Sequence, residues 1–337
     1  MSRRIAVILG GRSSENAISV ASATSVIEAL EGAGDEVVTV QIDRDGRWQL
    51  AACEPGSRGE PGSRVPARLP GRDVATTLVD VDVVFPVLHG PFGEDGTVQG
   101  LLELAGVPYV GAGVLASALC KDKDVFKAVL RDRGIPVTEN ITLRLGDPPR
   151  NPFGYPCFVK PARLGSSVGI TKAHDDKELA RGVELAFRHD EKVLVERFVS
   201  GVEVEIGVLG NLRPIASLPG EIVVTHNEWY DFEAKYDEGE MELLVPARIG
   251  DEESARTQEL AVEAFVATDC EGMARVDMFV RDDGEVLVNE LNTIPGFTST
   301  SVYAKLFEAS GIPYPELLDR LVELALERHE RRRALEY

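Results

Sequence analysis

Three oxygen-bearing side chains near the C-terminal end of the sequence have the types and spacing of a magnesium site. These side chains are Asp277, Glu290 and Asn292. They lie in two short stretches, Ala274-Arg275-Val276-Asp277-Met278 and Val288-Asn289-Glu290-Leu291-Asn292. Side chains alternate between the two faces of a strand, so Asp277 shares a face with Arg275, and Glu290 with Asn292. Mg²⁺ prefers oxygen ligands and takes only one or two carboxylates when it also binds nucleotide phosphates. The alternative is that these side chains are solvated ends of two hairpin strands.

A lysine followed by a flexible loop indicates a phosphate site. Lys160 ends the apolar run Phe158-Val159-Lys160-Pro161, and Arg163-Leu164-Gly165-Ser166-Ser167-Val168-Gly169 follows it. Such a loop presents backbone N–H groups to phosphate oxygens. It is not a Walker loop, because the Gly-Lys-Ser/Thr ending at a helix start is missing. Lys123, on the preceding helix, would be a second cation. The alternative for the loop is a flexible hairpin tip, and the alternative for Lys123 is a lysine on a solvated helix face.

A strictly alternating segment, Val202-Glu203-Val204-Glu205-Ile206, places Glu203 and Glu205 on one face of a strand. A carboxylate there can accept hydrogen bonds from ribose hydroxyls, whereas a half-exposed strand with two solvated glutamates fits the same pattern. The segment 193–199 before it is expected to be a strand leaving a small domain. Its backbone would suit the edge of an adenine if it forms the hinge.

The composition restricts the class of protein. At 337 residues the chain exceeds a single comfortable core, and two or three domains are expected. Its 56 acidic and 36 basic residues give a net charge of −20, which argues against binding to nucleic acid but not against ATP. Four cysteines, Cys53, Cys120, Cys157 and Cys270, lack metal or redox spacing, and we recognise neither a signal peptide nor a membrane span. We expect a cytoplasmic protein with no nucleic-acid or membrane partner.

The order of elements predicts a βαβ-type N-terminal layer followed by α+β regions. The first helix carries the apolar stripe Val20, Ala23, Ile27 and Leu30, and Ser13 or Ser14 is its expected N-cap. Strands are predicted over 4–9, 37–42, 81–88, 157–160, 168–172 and 193–197, and helices over 97–104, 116–133, 177–187, 252–267 and 314–332. The segments 51–72 and 225–240 are expected to be loops.

The order of these segments resembles the ATP-grasp superfamily and, within it, the D-alanine–D-alanine ligase family. The motifs that carry the resemblance span essentially the whole chain: Gly10-Gly11-Arg12-Ser13-Ser14-Glu15, Leu88-His89-Gly90-Pro91-Phe92-Gly93-Glu94-Asp95-Gly96, Tyr230-Asp231-Phe232-Glu233-Ala234-Lys235-Tyr236 and Asn289-Glu290-Leu291-Asn292-Thr293-Ile294-Pro295-Gly296. The resemblance implies a three-domain ATP-grasp fold, α/β and α+β in class, with a Rossmann-like parallel-sheet domain first. The implied domains are 1–112 (N-terminal α/β), 113–197 (small α+β) and 198–337 (C-terminal, with the metal and acceptor sites).

The resemblance also implies a role for each matching residue. For ATP, Lys123 and Lys160 would hold phosphates beneath the loop of Ser166 and Ser167, Glu196 and the backbone of Arg197 and Val199 would meet adenine, and Glu203 would meet ribose. Asp277, Glu290 and Asn292 would hold two Mg²⁺ ions, with Mn²⁺ as an alternative ion. For the amino acids, Glu15 would bind the first ammonium, His89 would lie near its carboxylate, Ser166 and Tyr236 would link to Glu15, and Lys235 would approach the transferred phosphate. Arg275 and the Gly296 N–H would form the oxyanion site, and Ser301 with the Val302 N–H would bind the second carboxylate.

The reaction implied by the resemblance is ATP-dependent ligation of two D-alanines through a D-alanyl phosphate, for peptidoglycan synthesis, by a homodimer. The pair Lys235-Tyr236 favours D-alanine as the acceptor, with D-lactate and D-serine as alternatives, and His226 lies near that pair. The chain departs from the family pattern at Asn16, where a basic residue is frequent, and at Lys121, where many members carry Met.

Three other functions compete with this interpretation. Another ATP-grasp ligase would share the nucleotide site and differ around Glu15, Tyr236 or Ser301. A dinucleotide-dependent oxidoreductase is suggested by the strand, Gly10-Gly11 and helix at the N-terminus, but the Gly-x-Gly-x-x-Gly fingerprint is missing. A catalytically silent binding protein would not need the complete set of phosphate and metal groups.

Overall fold

The computed structural model describes residues 2–51, 78, 80–224 and 241–336. Among these the strands are β1 (Arg4–Gly10), β2 (Glu36–Ile42), β3 (Trp48–Ala51), β4 (Val83–Val87), β5 (Asn140–Arg144), β6 (Cys157–Pro161), β7 (Thr171–Ala173), β8 (Lys192–Arg197), β9 (Val202–Gly210), β10 (Ile215–Ala216), β11 (Gly220–Val224), β12 (Met241–Leu244), β13 (Gly272–Val280) and β14 (Val286–Asn292). The helices are α1 (Asn16–Gly32), α2 (Thr97–Ala105), α3 (Val114–Lys121), α4 (Lys123–Asp132), α5 (Asp176–Phe187), α6 (Asp251–Ala267), α7 (Val302–Ala309) and α8 (Tyr314–Arg333).

The strands form three sheets, each built from one stretch of the chain. The N-terminal sheet has the order β3-β2-β1-β4, in which β1 pairs in parallel with β2 and with β4. The central sheet, β5-β8-β6-β7, and the C-terminal sheet, β12-β11-β9-β13-β14 with β10 beside β9, are antiparallel. A parallel α/β layer followed by antiparallel α+β layers is the fold class that the sequence predicts.

The hydrophobic cores are shared between these stretches. One face of the N-terminal sheet packs on α2, whereas the other packs on α1 and, from the far end of the chain, α8. Helices α3 and α4 contribute Ala116, Phe126 and Leu130 to the core of the C-terminal sheet. The boundaries at 112 and 197 therefore separate sheets but not cores, and the three-domain division stays a proposal.

Two local predictions are wrong. The helix predicted over 116–133 is two helices, because Asp122 is extended and its carboxylate caps α4 by accepting from Val125 N at 3.2 Å. The N-cap of α1 is Glu15 rather than Ser13 or Ser14. The Ser13 hydroxyl instead binds the loop after β4, since its Oγ donates to the carbonyl oxygen of His89 at 2.6 Å. The helix α7 was not predicted at all, and the predicted loops at 51–72 and 225–240 lie outside the described residues, except for Ala51.

None of the described helices combines the length and apolar character needed to cross a bilayer.

A buried arginine fixes α8 to the N-terminal layer. Arg328 is 3% exposed, and its Nη2 donates to the carbonyl oxygen of Tyr109 at 2.6 Å. Its Nη1 donates to the carbonyl oxygen of Gly111, and the guanidinium lies 4.3 Å from the centre of the Tyr109 ring. One side chain thus satisfies two buried carbonyl groups that precede α3.

Replacing Arg328 with Met should lower the free energy of unfolding by about 3 kcal/mol, because two buried carbonyls lose a charged donor. Urea or thermal unfolding measures the change. The matched control is Arg320→Met on the same helix, where the lost exposed ion pair with Glu316 should cost under about 1 kcal/mol. Equal effects of the two substitutions would contradict this role of Arg328.

Candidate active site

The three predicted metal ligands lie side by side on two adjacent strands. In the antiparallel register of β13 and β14, Asp277 faces Glu290 and Arg275 faces Asn292. On the other face of β13, Ala274, Val276 and Met278 are fully buried in the core. The side-chain alternation read from the sequence is therefore confirmed.

Neighbouring donors hold these side chains in place. Arg275 donates to both Asp277 oxygens at 2.7 Å, and Asn292 Nδ2 donates to Asp277 Oδ2 at 3.2 Å. Lys123 Nζ lies 3.0 Å from Glu290 Oε2. Within the described part of the chain, no cluster of three or more His, Cys, Asp or Glu side chains forms a metal cage. Two carboxylates and an amide oxygen instead fit Mg²⁺ that obtains its other ligands from phosphate and water.

The first large cavity, of about 490 Å³, lies between the central and C-terminal sheets. Both Asp277 and Glu290 reach it. Its lining includes every residue that the sequence resemblance assigns to nucleotide binding: Lys123, Lys160, Ser166, Ser167, Glu196, Arg197, Val199 and Glu203. The structure thus brings these residues together around one space.

The loop between β6 and β7 is held in an unusual conformation. Ser166 and Ser167 have φ angles of 51° and 56°, in the left-handed region that residues other than glycine rarely adopt. Such residues cost on the order of 1–3 kcal/mol and persist where surrounding contacts fix them. Here Lys123 Nζ donates to the carbonyl oxygen of Leu164 at 2.8 Å, and Ser166 Oγ donates to the carboxylate of Glu15. The loop therefore contacts Lys123 at the start of α4 and Glu15 at the start of α1.

A second cavity beside the same loop, of about 510 Å³, lies between α1, the end of β14 and α7. Its lining includes the described residues that the resemblance assigns to the amino acids and the oxyanion: Glu15, His89, Ser166, Arg275, Gly296, Ser301 and Val302. Gly90 lets the loop after β4 approach Glu15, since a Cβ at Gly90 would lie 2.6 Å from Glu15 Oε2. Lys235 and Tyr236 lie outside the described residues.

His89 is buried where three segments meet. Its Nδ1 lies 3.2 Å from the carbonyl oxygen of Ile294 and 3.6 Å from Glu94 Oε1, and its Nε2 lies 3.4 Å from Ser22 Oγ. Ser22 Oγ also accepts from the backbone N–H of Phe297 at 3.2 Å. These contacts fix the imidazole at the wall of the second cavity.

The far end of the second cavity is the N-terminus of α7. Ser301 is the N-cap residue, and its Oγ accepts from the backbone N–H of Thr298 at 3.0 Å. Val302 is the first helical residue, whose N–H has no partner within the helix. Helix N-termini attract carboxylates through such N–H groups and through the helix dipole.

The two cavities share a wall. Gly165, Ser166 and Glu290 line both of them. A group bound at this end of the first cavity would therefore be adjacent to a molecule bound in the second cavity. This arrangement suits transfer of a group from one bound molecule to the other.

Sequence reasoning missed Lys127, which is fully buried and contacts Thr138 and Glu196 in the lining of the first cavity. The Glu196 carboxylate forms ion pairs with both Lys127 and Lys160, and Lys127 also donates to Thr138 Oγ1. Burial raises the pKa of Glu196, but the two lysines lower it further, so its pKa lies below the usual value. Burial lowers the pKa of Lys127 to about 7, partly offset by Glu196. Only the four-residue spacing from Lys123 could have signalled this position.

Two antiparallel layers that enclose a cavity lined by lysines and carboxylates are typical of the ATP-grasp class of protein. The family model described as "D-ala D-ala ligase N-terminus" matches residues 4–112, and the one described as "D-ala D-ala ligase C-terminus" matches residues 129–323. The chain belongs to the D-alanine–D-alanine ligase family.

Individual relatives agree with this assignment. Proteins named D-alanine–D-alanine ligase from Streptomyces avermitilis and Solibacter usitatus are each 46% identical to this chain, covering 96% and 100% of it and 94% and 99% of the relatives. The structure of the D-alanine–D-alanine ligase from Coxiella burnetii superposes with a TM-score of 0.84 at 37% identity, over 98% of this chain and 96% of that one. The VanG D-Ala:D-Ser ligase from Enterococcus faecalis superposes with a TM-score of 0.81 at 36% identity, over 96% of this chain and 100% of that one.

Lys127→Met should lower the free energy of unfolding by about 3 kcal/mol, since it breaks a buried charge pair. It should also raise the KM for ATP, because Lys160 alone would then neutralise Glu196 and would be less available to the phosphates of ATP. Thermal unfolding and ATP kinetics measure the two effects. Lys177→Met on α5, where the side chain is exposed, is the matched control. A Lys127→Met variant with wild-type stability and ATP KM would show that the pair is dispensable.

The ionisation of Glu94 should contribute a pH-dependent part of the stability. Burial raises its pKa, but Lys121 and His89 lower it from 4.5 to about 2. The stabilisation is complete above pH 4.5 and is lost as the pH falls toward 2. The difference in unfolding free energy between the wild type and Glu94→Gln should be about 1 kcal/mol smaller at pH 4 than at pH 7.

Urea unfolding at the two pH values measures this difference. Glu184→Gln, on the exposed surface of α5, serves as the control and should show no comparable change. A difference that grows toward pH 4 would contradict the direction of the Glu94 pKa shift.

Proposed function

We propose that this chain uses ATP to join two D-alanines into D-alanyl-D-alanine for peptidoglycan precursor synthesis. The observation that carries the proposal is the wall of Gly165, Ser166 and Glu290 shared by the two cavities. One cavity has the lysines and the loop of Ser166 and Ser167 that suit a nucleotide, and the other has the polar groups that suit amino acids. The names of the relatives support D-alanine as the substrate.

The chemistry requires both cavities. A carboxylate does not acylate an amine at neutral pH, because its oxygen is a poor leaving group. Transfer of the γ-phosphoryl group of ATP to a carboxylate oxygen of the first D-alanine releases ADP and forms an acyl phosphate. The amine of the second D-alanine then attacks the acyl carbon, and phosphate leaves with the carboxylate oxygen.

In this proposal, the residues of the first cavity bind ATP. Lys123 and Lys160 neutralise phosphate oxygens, and the backbone of the loop at Ser166 and Ser167 covers them. The segment of Glu196, Arg197 and Val199 meets adenine, and Glu203 accepts from ribose hydroxyls. The contact at Arg197 does not use its N–H, which donates to the carbonyl oxygen of Glu139 at 2.9 Å.

The metal set of the proposal is Asp277, Glu290 and Asn292, which would hold two Mg²⁺ ions. When bound, these ions neutralise the charge of the transferred phosphoryl group. Mn²⁺ is the alternative ion. Arg275 contacts Asp277, and Lys123 contacts Glu290, so the two carboxylates are held at the proposed metal site.

In the second cavity, Glu15 would bind the ammonium of the first D-alanine, with Ser166 and Tyr236 linked to it and His89 near the carboxylate. Arg275 and the Gly296 N–H would stabilise the tetrahedral oxyanion, and loss of one such donor typically lowers the rate by roughly 10²–10³. Ser301 and the Val302 N–H would bind the second carboxylate, and Lys235 would approach the transferred phosphate. D-Serine and D-lactate are the alternative acceptors, the former supported by the similarity to the D-Ala:D-Ser ligase.

We also propose a cytoplasmic homodimer. Helices α2 and α3 are neighbours, since a Cβ at Gly96, the N-cap of α2, would lie 3.5 Å from Ala118 on α3. They present exposed apolar side chains, namely Leu101, Leu104, Val114 and Leu115. Exposed apolar patches of this kind are typical of interaction surfaces, and a second copy of the chain is the proposed partner.

The test is an assay of phosphate release with ATP, Mg²⁺ and D-alanine, with mass identification of the product. We expect D-alanyl-D-alanine, and parallel reactions with D-serine or D-lactate as acceptor should be slower. Release of phosphate with a mixed product and no dipeptide of D-alanine would move the function to the alternative acceptor. The absence of phosphate release with every acceptor would refute the proposed ligation.

Glu290→Gln should reduce turnover by at least about 10²-fold, because the shared carboxylate at the wall loses its charge. Glu285→Gln, at the exposed turn before β14, is the matched control and should retain wild-type turnover. Turnover of Glu290→Gln within a few-fold of the wild type would count against the metal assignment.

A further inference from the structure

Lys121 is a buried cation beside both cavities that the proposed mechanism does not use. It is the last residue of α3, its side chain is 10% exposed, and its Nζ donates to Glu94 Oε2 at 2.6 Å. It lines a small cavity of about 20 Å³, whose lining also includes Lys123, Gly165 and Glu290. Its position therefore places a third lysine next to the shared wall.

The partner of Lys121 connects it to the second cavity. Glu94 follows the loop after β4, lines the second cavity and lies 3.6 Å from His89 Nδ1 through its other oxygen, Oε1. Lys121, Glu94 and His89 thus form a chain of polar contacts that ends at the amino-acid cavity. The carboxylate in the middle of this chain is mostly buried, with 14% of its side chain exposed.

Burial makes the lysine important for its neighbours. A buried carboxylate needs a cation or several hydrogen-bond donors, and without them it moves toward solvent or takes up a proton. Among the described lysines and arginines, Lys121 alone forms an ion pair with Glu94. Loss of Lys121 would therefore free Glu94 to move away from its place against His89.

The same lysine also limits the loop of the shared wall. A Cβ at Gly165 would lie 3.7 Å from Lys121 Nζ, so the loop passes close to the ammonium at this residue. Lys123 holds the adjacent carbonyl of Leu164. The two lysines at the junction of α3 and α4 therefore contact different partners: Lys123 contacts the loop and Glu290, and Lys121 contacts Glu94.

We propose that Lys121 is a positioning residue for the first amino acid of the ligation, acting by holding the Glu94 carboxylate against His89. In this proposal Glu94 thereby helps to hold the imidazole at the wall of the second cavity, where the carboxylate of the first D-alanine is proposed to bind. This inference rests on the proposed ligation. It assigns no contact with ATP to Lys121.

The first experiment compares the wild type with Lys121→Met in the full-length chain. The rate of phosphate release is measured against D-alanine concentration and fitted with separate KM values for the two amino acids, and ATP is varied in a second series. We expect the first KM for D-alanine to rise about tenfold, with the KM for ATP within twofold of the wild type. Lys177→Met should match the wild type in all three constants. A rise confined to the KM for ATP would overturn the inference.

A double-mutant cycle tests whether Lys121 acts through Glu94. Glu94→Gln should raise the first KM for D-alanine, and adding Lys121→Met to it should change that KM by less than twofold. Effects that multiply would mean that the lysine acts independently of Glu94, which would refute the proposal. Lys121→Arg should restore most of the affinity, because its guanidinium can also pair with Glu94.

The proposal can still be tested if Lys121→Met does not fold. Thermal unfolding identifies that case, and the comparison of Lys121→Arg with Glu94→Gln then carries the test, since only the former should keep a near-normal first KM. Failure of the inference is distinct from failure of the proposed function. In the first case the wild type makes D-alanyl-D-alanine and the variants share its first KM, whereas in the second the wild type makes none.

Discussion

The site depends on matching each buried charge with an opposite one. Lys127 and Lys160 enclose Glu196, Lys123 pairs with Glu290, Lys121 pairs with Glu94, and Arg275 lies between Glu205 and Asp277. Unpaired charges cost several kcal/mol in such surroundings, so removing the one ion-pair partner of a buried charge is destabilising. The ATP-grasp cavity is therefore a balanced set of charges, in a chain whose overall charge is −20.

The shared wall explains why one loop and one strand recur in every part of the site. Ser166 reaches Glu15 at the start of α1, and its neighbour Leu164 is held by Lys123 at the start of α4. Glu290 stands opposite Asp277 on the C-terminal sheet. The N-terminal, central and C-terminal parts of the chain each contribute one boundary to the same small region. Each part must reach its correct position before the two cavities adjoin.

Features that depend on local periodicity could be predicted from the sequence, and features that depend on distant packing could not. Strand alternation predicted that Asp277 and Arg275 share a face, and the family motifs identified the residues that line both cavities. Lys127 and Lys121 were not assigned a role, because a helical lysine normally faces solvent and only tertiary contacts bury these two. Asp122 broke a helix that its apolar spacing predicted as continuous. The helix α7 carries a helical pattern in Tyr303, Leu306 and Phe307, and that signal was overlooked.

The packing of α8 against the N-terminal sheet has a consequence for biosynthesis. Leu317, Leu318, Leu321 and Val322 cover the face of that sheet formed by Ile5, Val7 and Phe85. Translation at about 5–20 residues per second separates the end of the N-terminal layer from α8 by roughly 10–40 s. During that interval the nascent sheet has no helix α8 to cover this face, and such apolar surface is what chaperones bind. Helix α8, which is made long after the N-terminal sheet, thus completes the core of that sheet.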